Sequence, residues 1–229
     1  ILIIVMLLAF TAAKSEKCRL YFPQEPGTSL VYHNYDEDGD LTAITVYKIT
    51  GKDNTADGLK ISVELKMYED EDMDEDDAIV SDMVFYCKDG NFYWDMKAFV
   101  NSQSFESLRE TDMEIKIDSD DLAYPSDLSV GQKLPDGKIT MSVKSMFMTM
   151  EFTTIIKDRK VEAKESVTTQ AGTFDCYKIS QVTFVKAMMS ETEMKSLSWT
   201  AEDYGIIKSE TYDEDGDLQS SMKLVEIKK

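Results

Sequence analysis

Apolar and polar residues alternate with a period of two along much of the chain. Every second residue from Leu59 to Met67 is apolar, and Met113, Ile115 and Ile117 repeat the pattern further on. This period predicts half-buried β-strands. Glycine-containing turn signals, such as Asp136-Gly137, separate the apolar runs. The spacing of these signals predicts about a dozen strands.

This pattern predicts an all-β fold. The expected architecture is a strongly curved antiparallel sheet, barrel-like or sandwich-like, with about a dozen strands. One short helix is expected near 97–109, where Ala98, Phe105 and Leu108 recur at helical spacing. No linker rich in Pro, Gly or Ser divides the chain, so we expect residues 14–229 to form a single domain.

The first thirteen residues, ILIIVMLLAFTAA, are uncharged. They are too few to span a bilayer, which needs about 20 residues. They match the apolar part of a secretory signal, with cleavage before Lys14, and lack its basic start. We therefore expect 1–13 to be a truncated signal peptide, with a buried N-terminal strand or helix as the alternative. The mature chain is then exported to the periplasm or cell surface, with no transmembrane segment.

The expected export would place the cysteines in an oxidising compartment, where disulfides form. The three cysteines, Cys18, Cys87 and Cys176, allow one disulfide and one free thiol. Cys87 and Cys176 both lie in strand-like runs, which favours that pair and leaves the other pairings open. Charged residues precede Cys18, unlike a lipoprotein signal, but its lipidation stays open. No CxxC motif occurs and His33 is the single histidine, so we expect no metal site and no cofactor.

The chain is strongly acidic, with 25 Lys and Arg against 44 Asp and Glu and a net charge of −19. Such a field repels phosphate backbones, so nucleic acid is not an expected partner. Eight of the carboxylates fall within residues 69–77, EDEDMDEDD. Like charges at this density indicate a solvated loop between two strands.

The heptapeptide YDEDGDL occurs twice, at residues 35–41 and 212–218. Each copy separates two strand-like segments, and Asp-Gly favours a tight hairpin turn, so two matching hairpins are expected to bracket the domain. Asp36–Asp40 and Asp213–Asp217 also offer alternate carboxylates that calcium could use. An EF-hand loop requires Gly at its sixth position and Glu at its twelfth, and neither copy meets this requirement. The hairpin interpretation is favoured, and calcium stays open.

A methionine-rich segment supplies the candidate ligand site. Met146, Met148, Met150 and Phe152 fall on one face of a predicted strand. Three interpretations compete. Methionine fills irregular gaps in protein cores, it lines adaptable apolar cavities, and its thioether binds Cu(I). Core packing is the commonest of these, and the lack of a supporting histidine disfavours copper.

No catalytic motif of the GxSxG, HExxH or GxxxxGK[ST] type is present. Carboxylates are too abundant to be diagnostic of a hydrolase. The leading hypothesis is therefore a non-enzymatic binding module of the periplasm or cell surface, holding an apolar small molecule. The alternative is an envelope protein that binds another protein through its sheet edges and acidic loops. An uncharacterised hydrolase is the third choice.

Four segments, in order along the chain, carry a family resemblance. They are YPSDLSVGQKLPDG at 124–137, KVEAKESVTT at 160–169, AGTFDCYKI at 171–179 and YGIIKSETY at 204–212. Together they resemble the TapB-like secreted proteins of Gram-negative bacteria, a family of unknown function. The resemblance implies an antiparallel, barrel-like fold and an envelope location, and it supplies no catalytic residues. The acidic loop and acidic turns depart from that pattern.

Overall fold

The computed structural model describes residues 18–55, 58–97, 114–145, 148–187 and 190–229. These residues form thirteen β-strands. The strands are β1 (Ser29–Asp36), β2 (Leu41–Thr55), β3 (Gly58–Tyr68), β4 (Ile79–Lys88), β5 (Asn91–Trp94), β6 (Glu114–Asp120), β7 (Leu122–Pro125), β8 (Gly137–Lys144), β9 (Thr149–Thr169), β10 (Gly172–Ala187), β11 (Ser190–Ala201), β12 (Gly205–Tyr212) and β13 (Leu218–Lys228).

All thirteen strands belong to one antiparallel sheet, in the order β6-β8-β9-β10-β11-β12-β13-β1-β2-β3-β4-β5-β7. The edge strands, β6 and β7, are consecutive in the chain and separated by Asp121 alone. The two edges must therefore lie close together, and the sheet curves into a nearly closed barrel. The predicted all-β fold is confirmed. The helix predicted over 97–109 falls almost wholly outside the described residues, as does the predicted signal segment 1–13.

The strands predicted from alternation are present. β3 covers the first alternating run, with Ile61 and Val63 about 1% exposed. β6 covers most of the second run, and its Ile115 and Ile117 pack against buried residues of the adjoining strands. Burial of one face of each strand accounts for the period of two.

Three hydrophobic clusters hold the barrel together. The largest fills its interior and includes Leu20, Tyr21 and Phe22, which precede the first strand. A second lies beside the edges of the sheet, around Leu122 and Ile156. The third cluster contains Val31, whereas Leu30 and Tyr32 on either side of Val31 belong to the largest cluster. Because successive side chains of a strand point to opposite faces, the third cluster lies on the outer face of β1.

One arginine links β9 to the edge strand β7. Arg159 of β9 is 1% exposed, and its Nη1 donates to the carbonyl oxygens of Ala123 in β7, at 2.9 Å, and Pro135, at 2.6 Å. Its guanidinium also lies 4.6 Å from the ring centroid of Tyr124. β7 and β9 are not paired in the sheet, and we call the junction between them the seam. Arg159 closes this seam with its side chain.

The duplicated heptapeptides form matching turns. The Asp36 carboxylate accepts hydrogen bonds from the amides of Asp38 and Asp40, at 3.1 and 2.9 Å. In the second copy the Asp213 carboxylate accepts from the amides of Gly216 and Asp217, at 2.9 and 2.8 Å. The hairpin prediction is confirmed, because each first carboxylate binds the backbone of its own turn.

These two hairpins lie side by side and do not bracket the molecule. β1 pairs with β13, and Asp36 lies opposite Ser220, so both turns sit at one end of the barrel. The acidic loop is at the same end, because Tyr68 at the close of β3 pairs with Ile44 near the start of β2. Three acidic segments distant in sequence therefore form one end of the barrel.

The acidic loop is mostly exposed, as predicted, and it has two anchors. Met73 packs against the third hydrophobic cluster. The Glu75 carboxylate accepts hydrogen bonds from Lys66 and from the Tyr68 hydroxyl. These two hydrogen bonds lower the pKa of Glu75.

Candidate functional site in the barrel interior

The barrel encloses an apolar cavity of about 70 Å³. Twelve residues line it, from eight strands and from the segment before β1, and eight of the twelve are aromatic. The lining residues are Tyr21, Phe22, Tyr32, Tyr47, Met83, Phe85, Phe92, Trp94, Tyr124, Thr200, Ile206 and Met222. We call this space the interior cavity.

Stacked rings form one wall of the interior cavity. Phe85 lies between Phe22 and Phe92, with ring centroids 4.4 and 5.4 Å away. Tyr21 meets Phe92 edge-on at 6.2 Å, and Tyr32 meets Tyr47 in the same way at 5.3 Å. Offset and edge-to-face pairs of this kind favour a rigid wall, because each ring fixes the orientation of the next.

One polar side chain at the interior cavity lacks a partner. Thr200 is 3% exposed, and its hydroxyl has no hydrogen-bond partner within the part of the chain that the structure describes. A buried hydroxyl without a partner costs roughly 1–3 kcal/mol. A ligand group that could hydrogen-bond to Thr200 would offset this cost, so the cavity suits an apolar group carrying one polar atom.

Burial also affects two tyrosines of this wall. It raises the pKa of Tyr47 to about 12. It raises the pKa of Tyr32 well above its usual range, and the neighbouring Tyr47 adds to the effect. Both phenols therefore remain neutral, and compatible with an apolar ligand, at any physiological pH.

These shifts predict a loss of stability in alkali. An unfolded tyrosine loses its proton near pH 10, and Tyr47 in the barrel loses its proton near pH 12. Between these values the unfolded chain binds fewer protons, so the unfolding free energy falls as the pH rises. Below pH 10 the Tyr47 phenol is protonated in both the folded and the unfolded chain, so the unfolding free energy has not yet begun to fall. Urea unfolding from pH 8 to pH 12 should record this fall.

Tyr47→Phe should reduce the alkaline fall by up to about 3 kcal/mol, because it removes the group whose pKa burial raises to about 12. The exposed Tyr204→Phe serves as the matched control and should leave the fall unchanged. Parallel curves for Tyr47→Phe and the unaltered protein would contradict the burial of this phenol.

Residues 18–22 lie between the interior cavity and the surface, and we call them the strap. Tyr21 and Phe22 line the cavity, while Cys18, Arg19 and Leu20 line a polar groove on the surface. The strap is outside the sheet, and the Asp203 amide donates to the Leu20 carbonyl at 2.8 Å. A disulfide joins Cys18 to Cys87 at the end of β4.

The predicted pairing of Cys87 with Cys176 is therefore wrong. Cys87 is bonded to Cys18, and Cys176 is a free, fully buried thiol. Burial, with a smaller contribution from Asp175 and Glu165, raises the pKa of Cys176 to about 11. The prediction failed because it weighed strand-like surroundings, and Cys18 lies in a segment that no periodicity marks. The observed set of one disulfide and one free thiol is the one that three cysteines allow.

The methionine-rich segment lies away from the interior cavity. Met148 is 52% exposed, and Met150 and Phe152 pack against the second hydrophobic cluster. Met146 lies outside the described residues. None of the three described residues lines the interior cavity. A ligand-binding role for this segment stays a prediction, and core packing accounts for Met150 and Phe152.

Sequence reasoning missed most of the actual lining. Trp94 lines the cavity as well. The lining tyrosines and phenylalanines gave no signal, because they are scattered over six segments that only the sheet order brings together. Tyr21-Phe22 was the one local hint: two large aromatic residues ahead of the first strand.

Metal clusters and membrane-spanning helices are both absent from the described residues. Within the described ranges no group of three or more His, Cys, Asp or Glu side chains is arranged to hold a metal ion. Among the same residues no helix has the length and apolar character needed to cross a membrane.

Comparison with known proteins places the fold. A family model described as DUF3108-like matches residues 25–224. The chain belongs to the DUF3108-like family. A protein of Bacteroides fragilis with a YmcC-like fold, inferred to be exported, has a similar crystal structure, with TM-score 0.71 and 25% identity over 93% of this chain and 100% of that one.

A second solved structure, of an inferred lipoprotein from Parabacteroides distasonis, has TM-score 0.73 and 24% identity over 93% of this chain and 100% of that one. At that identity the likeness concerns the fold alone. A comparison with functionally curated proteins gave no match. The DUF3108-like assignment supports the expected membership of a family of unknown function, and both neighbours share the fold of this chain.

Proposed function

We propose that this DUF3108-like protein is a non-enzymatic binding module of the periplasm or cell surface, and that its barrel holds an apolar ligand. The observation that carries the proposal is the interior cavity, with its aromatic wall and the unpartnered hydroxyl of Thr200. We also propose that residues 14–229 are one domain after removal of the apolar segment 1–13, and that the chain is related to the TapB-like secreted proteins.

The size of the cavity limits the ligand. Ligand pockets are typically about 300–1,000 Å³, and an engineered apolar cavity of about 150 Å³ binds benzene. At about 70 Å³ the interior cavity accommodates the end of an acyl chain or another small apolar group. A larger ligand would have to displace part of the wall.

Native mass spectrometry of the exported protein, purified without detergent, tests this proposal. We expect an added mass that is retained in the native ion and lost on denaturation. Thr200→Phe should abolish the added mass, because the larger side chain fills the cavity. Thr42→Phe, at an exposed position, is the matched control and should retain it. A bare chain in every sample would count against a carrier.

A second candidate is an envelope protein that binds a basic partner. It is favoured by the gathering of both acidic turns and the acidic loop at one end of the barrel. Attraction between exposed charges weakens as salt screens it. Association that is unchanged between low and high salt in a pull-down would exclude this mode of binding.

A further inference from the structure

The strap separates the interior cavity from the outside. Its first three residues border the polar surface groove, and its last two border the cavity. Any molecule passing from this groove to the cavity must displace these five residues. Leu20, Tyr21 and Phe22 are each less than 9% exposed, so in the observed conformation the passage is closed.

Among the described residues, few hydrogen bonds hold the strap, and most of its noncovalent attachment is the packing of its last three side chains in the largest hydrophobic cluster. Besides the Leu20 carbonyl bond, the Arg19 amide donates to the Ser126 hydroxyl at 3.0 Å, and the Tyr21 hydroxyl donates at 3.3 Å to the Ser126 carbonyl. The Arg19 ion pair with Glu202, at 3.5 Å, is exposed and contributes little. Because the strap is outside the sheet, it can open without breaking hydrogen bonds between strands, and the main cost of opening is exposure of Leu20, Tyr21 and Phe22. The disulfide is its strongest attachment.

Withdrawal of the strap would enlarge the cavity. Phe22 stacks on Phe85, and Tyr21 meets Phe92, so both strap side chains occupy the barrel where an apolar ligand would lie. Removing the two rings exposes Phe85 and Phe92 as the new wall. The two strap rings therefore occupy space that a ligand could fill. The volume of about 70 Å³ is the volume with the strap in place.

We propose that the strap is the gate of the interior cavity, locked by the Cys18–Cys87 disulfide and released by a dithiol reductant. This inference rests on the proposed function, because a gate needs a cavity that takes a ligand.

Release is a thiol–disulfide exchange. A thiolate of the reductant attacks the sulfur of Cys18, and Cys87 leaves as a thiolate and takes up a proton. The second thiol of the reductant then displaces Cys18, so that the protein gains two electrons and two protons and the reductant becomes a disulfide. Cys176 takes no part, because it is fully buried.

The test measures uptake of N-phenyl-1-naphthylamine, an apolar dye that becomes fluorescent in apolar surroundings and is too large for the closed cavity. We expect dithiothreitol to increase its rate of uptake or its affinity at least tenfold. Cys18→Ala/Cys87→Ala should show the same increase without reductant. Cys176→Ala keeps the disulfide and should respond to dithiothreitol like the unaltered protein.

Phe22→Ala in the oxidised protein separates the gate from the cavity, because it makes room with the disulfide intact. Dye uptake by this variant, together with no effect of reduction on the unaltered protein, would overturn the gate and leave the cavity standing. No uptake by any form would overturn both proposals. Loss of β-sheet circular dichroism on reduction would also overturn the gate, which requires a barrel that stays folded.

Discussion

Removal of the Cys18–Cys87 disulfide should lower the free energy of unfolding by about 4 kcal/mol. The bond joins residues 69 positions apart, and cross-linking a loop of that length removes roughly 4.4 kcal/mol of chain entropy from the unfolded state. Urea unfolding of Cys18→Ala/Cys87→Ala should show this loss. The barrel should nevertheless remain folded, because domains of this kind are stable by about 5–15 kcal/mol.

Dithiothreitol provides the control for this prediction. It should destabilise the unaltered protein by about the same amount and leave Cys18→Ala/Cys87→Ala unchanged. A loss below about 1 kcal/mol would contradict the prediction, since it would mean that the disulfide constrains the unfolded chain very little.

Arg159→Ala should cost about 4 kcal/mol of unfolding free energy. The change removes two hydrogen bonds from a charged group, each contributing about 1.5–3 kcal/mol, and takes the Arg159 donor away from the carbonyl of the buried residue Ala123. It also removes the stacking on Tyr124. Urea unfolding gives the free energy, and hydrogen exchange should show lost protection in β7.

Two variants complete the Arg159 experiment. Arg159→Met keeps a side chain of similar volume. It also removes a buried charge that no carboxylate balances among the described residues. It should therefore cost about half as much unfolding free energy as Arg159→Ala. Lys138→Ala, an exposed cation of β8, should cost less than about 0.5 kcal/mol. Equal effects of Arg159→Ala and Lys138→Ala would show that Arg159 does not close the seam.

Local features of the fold could be predicted from the sequence. Alternation located β3 and β6, because one face of each strand is buried, and Asp-Gly located the hairpin turns, because glycine tolerates the positive φ found at Gly39 and Gly216. These features depend on neighbouring residues only.

Long-range features could not be predicted. Nothing local indicates that β1 pairs with β13, so the two acidic turns were expected far apart and lie side by side. Likewise Arg159 has no sequence signal, because its partners in β7 and at Pro135 are set by closure of the barrel. The aromatic lining and the partner of Cys87 depend on the same closure.

The most direct test of an apolar site inside the barrel uses the two tryptophans as reporters. Trp94 lines the interior cavity, whereas Trp199 lies between the Lys178 and Lys208 ammonium groups, at 4.9 and 4.6 Å, and is not part of the lining. Bromoethane is apolar, is small enough for the closed cavity, and quenches indole fluorescence on contact.

Trp199→Phe isolates the emission of Trp94, and Trp94→Phe isolates that of Trp199. We expect bromoethane to quench Trp94 saturably and to leave Trp199 nearly unaffected. Equal quenching of the two tryptophans, or quenching of Trp94 that never saturates, would contradict an apolar ligand site in the barrel.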